Sequence, residues 1–254
     1  MIASKARPVV VAGQFDGVHV GHRRLVTVAL ALAAKAGRGV VALVVDDDSG
    51  GRYLASARRR CELLVHAGVA TATVVPVTRR QHVDVQLRRV LVGLNPVAIG
   101  FEQEIRIVVR NAVQSCLPAS KVFDVPTERL SGSLVTSDVV ATLIADGAVD
   151  DVVSLLGRPF EIEGTIRNVG RASTRSSLFF MPVAVDSRLV MPGPGDYAAQ
   201  VRLQQRSVDA VVRFDDAVSV LLLAPLDVRV TDAITLALIK RFPSDQKNVE
   251  SSRP

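Results

Sequence analysis

The sequence predicts an α/β chain in two parts, a doubly wound parallel sheet followed by a small antiparallel β-barrel or sandwich. Three observations carry this. Short β-branched runs alternate with longer helical runs up to about residue 150, strands of two-residue apolar period replace them after Gly157, and a glycine-rich turn joins the first strand to the first helix. Parallel strands buried on both faces read as near-continuous apolar runs and need helical crossovers, whereas a half-buried antiparallel strand alternates.

Strands are expected over residues 9–12, 39–45, 71–75, 97–99 and 121–125, and helices over 23–36, 55–67, 83–92, 105–116 and 137–145. This alternation closes as a parallel sheet, whose ligands bind beyond the carboxyl ends of the strands. In the second part Phe160, Ile162, Gly164 and Ile166 alternate with Glu161, Glu163, Thr165 and Arg167, and Tyr197, Ala199, Val201 and Leu203 alternate with Ala198, Gln200, Arg202 and Gln204. Residues 178–185, 208–214 and 218–223 add strands, and Met191-Pro192-Gly193-Pro194-Gly195-Asp196 is a turn. Strands without helices between them predict a small antiparallel barrel or sandwich. A helix over 232–241, capped by Thr231, is expected to close it. The domains are then 1–150 and 151–243, with a polar, frayed tail over 244–254.

Hydrophobic residues at 48% and charged residues at 22% mark a globular chain. The longest apolar stretch, 25–34, is broken by Thr27 and is too short to span a bilayer, and residues 1–7 lack the apolar core of a signal peptide. With two cysteines, Cys61 and Cys116, and no disulfide framework, a cytoplasmic protein without membrane partners is expected. The net charge of +6 favours anionic partners without saying which. Aromatics at 4%, with no basic run interleaved among them, argue against nucleic acid. Arg58-Arg59-Arg60 reads as a solvated helix face, with phosphate contact the lesser alternative.

The turn Gly13-Gln14-Phe15-Asp16-Gly17-Val18-His19-Val20-Gly21-His22 carries the chemistry. At a strand-to-helix turn, unpaired backbone N–H groups and the positive end of the helix dipole face any ligand. Gly13, Gly17 and Gly21 let the backbone approach it closely. His19 and His22, three apart, share a face and can donate to phosphate oxygens. Such a site suits attack by an anion on a nucleotide α-phosphate, which needs positioning and charge stabilisation rather than a protein nucleophile. Three alternatives compete. The histidines can simply cap the helix; a zinc site would need ligands among His66, His82, Cys61, Cys116 and carboxylates, at no recognisable spacing; and the glycines, four apart, do not fit a dinucleotide fingerprint.

The two halves together resemble the prokaryotic bifunctional riboflavin kinase and FMN adenylyltransferase family, the FAD synthetases. The family pattern Gly-x-Phe-Asp-Gly-Val-His-x-Gly-His stands unbroken from Gly13 to His22, Leu156-Gly157-Arg158-Pro159-Phe160 matches the family's module junction, and Pro192-Gly193-Pro194-Gly195-Asp196-Tyr197-Ala198 is similar to a later motif. The resemblance implies a Rossmann-like nucleotidyltransferase domain that transfers AMP from ATP, with Mg²⁺, to FMN, giving FAD and pyrophosphate. It implies that Gly13, Gln14, Phe15, Asp16, Gly17 and Gly21 wrap the ATP phosphates, that His19 and His22 stabilise the transition state, and that Ser137 lies in a second phosphate-binding segment.

Departures from the family pattern are equally legible. That second segment has Ala141 in place of the family's arginine, with Asp138 beside it, leaving Arg106, Arg129 and Arg175 as arginines that would replace the lost one. The flavin segment falls on Gly100-Phe101-Glu102-Gln103-Glu104-Ile105-Arg106 without its aromatic platform, so Glu102 and Asp46 remain as flavin contacts. Asp46 can equally belong to an acidic loop that meets only water, or bind Mg²⁺ with its neighbours. In the barrel, Val183 and Val185 stand where the kinase needs oxygen ligands for Mg-ATP, which argues against riboflavin kinase activity. The alternative to an active adenylyltransferase is a flavin- or nucleotide-binding regulatory protein of the same descent.

Overall fold

In a computed structural model the chain forms two compact units, one of Met1–Ala141 with Leu155–Gly157 and Arg188–Val190, the other of Thr142–Ser154, Arg158–Ser187 and Met191–Pro254. The structure describes residues 7–47, 50–77, 83–103, 105, 113, 115–130, 132–168, 170–171, 179–203, 206–222, 229 and 231–243. Most of the helix expected over 105–116, the tail over 244–254, and His82, Glu104, Arg106 and Arg175 lie outside the described residues.

The first unit is built on five parallel strands, β1 (Val9–Gly13), β2 (Val40–Asp47), β3 (Thr71–Val77), β4 (Ala98–Phe101) and β5 (Lys121–Phe123), in the order β3-β2-β1-β4-β5. Alternate β1 side chains enter opposite cores. Val9 and Val11 pack with Leu25, Val26 and Ala29 of α1 (Val20–Ala36) and Leu64 of α2 (Ala57–His66). Val10 and Ala12 pack with Leu43 and with Leu87 and Leu91 of α3 (Val83–Leu94). This two-sided burial explains the unbroken apolar run. The strand order reverses between β1 and β4, the crevice where such sheets receive ligands. A short hairpin, β6 (Arg129–Leu130) and β7 (Ser133–Leu134), precedes α4 (Ser137–Ala145). The helix α5 (Val149–Leu156), which the sequence analysis did not anticipate, follows it.

In the second unit β8 (Phe160–Ile166), β10 (Phe179–Val185), β11 (Gly195–Leu203), β12 (Arg206–Phe214), β13 (Val218–Leu222) and β14 (Ala233–Arg241) form a six-stranded antiparallel barrel, closed by the β10–β13 pairing, with β9 (Gly170–Arg171) added on β10. Val183 lies in its core, 6% exposed, as do Phe160, Val201 and Val220. Tyr197 is wholly buried there, its hydroxyl donating to the Gly193 carbonyl at 2.6 Å and its ring edge-on to Phe214 at 5.2 Å.

The helix expected over 232–241 is instead the strand β14, hydrogen-bonded between β11 and β8. Alanine and leucine favour a helix, yet Ile234, Leu236 and Leu238 repeat every second residue and fill the barrel, and pairing on both sides outweighs so weak a propensity. Thr231, with φ 77°, is not a helix cap. Leu236 faces Val201 on one side and Ile162 on the other. Replacing Leu236 by Ala is expected to cost the barrel about 2–5 kcal/mol, read as a lower urea midpoint at unchanged m value.

Candidate functional site

The site is assembled where β1 ends. Helix α1 begins earlier than the periodicity suggested, at Val20, so His19 is its N-cap and His22 lies in its first turn. Between strand and helix, Phe15 (φ 53°), Gly17 (φ 72°) and Val18 (φ 45°) all adopt left-handed backbone. For Phe and Val this is costly, and burial of both side chains holds it in place; such strain gathers at functional sites. The Asp16 carboxylate accepts the N–H groups of Leu54 (2.9 Å) and Ala55 (3.2 Å), fixing the turn from outside. Ser137 Oγ donates to the Asp16 carbonyl at 3.1 Å, and Thr136 Oγ1 accepts the Val139 N–H, capping α4.

The two imidazoles stack, with ring centroids 3.6 Å apart and planes 18° from parallel, so they share a face as their spacing implied. His19 Nδ1 accepts the His22 backbone N–H at 3.4 Å, which places the ring proton on Nε2. Burial first, and the neighbouring His22 second, lower the His19 pKa to about 3, so this ring is a neutral donor near pH 7. His22 Nε2 is bound to Glu102 Oε1, while its Nδ1 is buried without a hydrogen-bond partner.

Glu102, the residue after β4, is 7% exposed. Its second oxygen accepts the Phe15 N–H at 3.0 Å, with the Gln14 N–H adding to it. Burial opposes its ionisation, but the charge and hydrogen bond of His22 and the two backbone donors outweigh burial and hold its pKa at about 2. Gly13 is glycine for this reason, since a Cβ there would run into the Glu102 side chain.

Arg60, expected on a solvated helix face, is instead part of the site. Arg58 and Arg59 pair with Glu62 as surface side chains do, but Arg60 is 4% exposed. Its guanidinium donates to the carbonyls of Gln14 (2.9 Å) and Val45 (3.4 Å) and to Asp46 Oδ1 (2.8 Å). Because a trans peptide points C=O and N–H in opposite directions, drawing the Gln14 carbonyl to Arg60 turns the Phe15 N–H toward Glu102. Its spacing held the signal: Arg60 lies one turn before the fully buried Leu64. Asp46 thus serves Arg60.

Beside the histidines opens a cavity of about 640 Å³, lined by His19, Gly21, His22 and Glu102, by the apolar Leu25, Phe101 and Val135, and by Arg129 of the hairpin. Arg129, which also donates to the Gly132 carbonyl at 2.8 Å, is the one of the three candidate arginines that is described, and it lines this cavity. Among the described residues no three His, Cys, Asp or Glu side chains gather as metal ligands do, and no helix is long and apolar enough to cross a membrane.

Two buried groups make the fold acid-sensitive. His19 stays neutral in the folded chain to about pH 3 but protonates near 6.5 when unfolded, so its contribution is complete above 6.5 and falls with pH below it. Glu102 adds a second loss between its ordinary 4.5 and about 2. Asp16, whose carboxyl burial pushes up, runs the other way. Stability measured by urea titration is expected to drop from pH 7 to pH 5, and His19→Gln to flatten that drop; equal slopes in the two proteins would contradict it.

The FAD synthetase family matches residues 1–104. No curated protein matches the chain. Among solved structures, one described as a macrolide-efflux protein from Streptococcus pneumoniae is 18% identical, covers 95% of this chain and 87% of its own, and superposes at a TM-score of 0.75. At that identity the likeness concerns the fold alone. A universal stress family protein from Burkholderia pseudomallei, 20% identical over 49% of this chain and 98% of its own, reaches a TM-score of only 0.34 and carries no argument. With the parallel sheet and the His19–His22 turn, the match over residues 1–104 identifies an FAD synthetase-like nucleotidyltransferase domain at the N-terminus.

Proposed function

We propose that the N-terminal domain is an FMN adenylyltransferase, which binds ATP across the turn at residues 13–22 and transfers AMP to FMN. One observation carries the reading: two stacked imidazoles at the mouth of α1, beside a cavity of about 640 Å³ at the switch point of a parallel sheet. A phosphate oxygen of FMN attacks the α-phosphorus, the bond to the β-phosphate breaks, and pyrophosphate leaves. His19, neutral with its proton on Nε2, donates to the oxygens on which charge grows, aided by the helix dipole. His22 adds a second donor once released from Glu102. Arg129 supplies the cation that Ala141 does not. Mg²⁺ would arrive with the triphosphate and neutralise part of its charge.

A second reading, a protein that binds nucleotide or flavin without transfer, is favoured by the engagement of the Phe15 N–H and His22 with Glu102. Incubating the protein with Mg-ATP and FMN separates the two. FAD and pyrophosphate in equal amounts are expected, whereas no product, with ATP or FMN still raising the Tm, would favour binding alone. His22→Ala is expected to lower kcat by about 10²–10³, measured well below the Tm, which itself falls because Glu102 is left buried without its side-chain partner. An unaltered rate would remove His22 from the mechanism.

A further inference from the structure

We infer that the Glu102 carboxylate is a resident stand-in for a substrate phosphate, and that the anion position at the mouth of α1 opens only when this side chain withdraws. The inference rests on reading residues 13–22 as a phosphate site. The donors such a turn offers an anion are already bound: Phe15 N–H to Glu102 Oε2, Gln14 N–H beside it, and His22 Nε2 to Oε1. The remaining His22 nitrogen, Nδ1, is buried without a hydrogen-bond partner. Glu102 lies against Gly13, in the space that the missing Cβ leaves beside the turn.

Phosphate and carboxylate are both anions, so they cannot share these donors without strong repulsion. The held position is also well made. Arg60 fixes the Gln14–Phe15 peptide from the opposite side, so the donors stay aimed whether or not Glu102 is there. The cavity that Glu102 itself lines, with His19 and Arg129 on its wall, gives the displaced side chain room to turn. Glu102 therefore sets the threshold for nucleotide entry, admitting ligands whose phosphate charge outcompetes one carboxylate.

The test is calorimetric titration of the full chain, wild type, Glu102→Gln and Glu102→Ala, with inorganic triphosphate and then with ATP. Removing the charge is expected to lower the Kd by about tenfold or more in Glu102→Ala and by a smaller factor in Glu102→Gln, which keeps the shape. A carboxylate that merely supports the turn would leave affinity unchanged or weaken it in both, and either result overturns the inference, as does binding by none of the three. Should Glu102→Ala lose its cooperative unfolding transition, Glu102→Gln decides alone. Tighter triphosphate binding without FAD from any variant sustains this inference while the adenylyltransferase reading falls. FAD from the wild type with unaltered affinity in both variants does the reverse.

Discussion

One peptide plane, between Gln14 and Phe15, organises the site. Its carbonyl is held by a buried guanidinium and its N–H by a buried carboxylate, so Arg60 and Glu102 pull the same amide from opposite sides. Neither group stands alone, since Asp46 pairs with Arg60 and His22 Nε2 is hydrogen-bonded to Glu102. Removing the partner of a buried charged group such as Glu102 or Arg60 costs much, so both ends of this peptide stay held and the turn keeps a fixed direction. The left-handed residues Phe15 and Val18 persist because this frame leaves them no alternative.

Around that plane, sheet topology decides which residues meet. The reversal of strand order brings the end of β4 beside the end of β1, and the Glu102 N–H bonds to the Ala12 carbonyl at 2.9 Å. A residue eighty positions from His22 thereby becomes its closest polar partner. Charge compensation inside a low-dielectric crevice follows from this adjacency and from nothing local in the sequence.

This explains what could be read in advance. The parallel sheet was legible because burial on both faces writes itself as apolar runs, and the turn because glycine and histidine spacing is local. That His19 and His22 share a face was legible from their spacing, whereas their stacking also depends on the extended N-cap backbone of His19. Arg60 was hidden in a run of three arginines whose composition suggests solvent, although its place one turn before Leu64 marked the buried face. The role of Glu102 was not legible, because it depends on which strands are neighbours. Strand β14 was misread because its alanines and leucines suit a helix, and only its partners on both sides settle a strand.

The three residues Arg188–Val190 belong with the first unit, where Tyr53 exchanges backbone hydrogen bonds with Arg188 and Val190 at 2.9 and 2.8 Å. The next residue, Leu54, is one of the anchors of Asp16. A chain emerging from the ribosome therefore leaves Tyr53 without these partners until more than 130 further residues have been made. Vectorial synthesis thus delays this brace beside the glycine-rich turn until the barrel strands β8 and β10 have been made, and ties maturation of the first unit to production of part of the second.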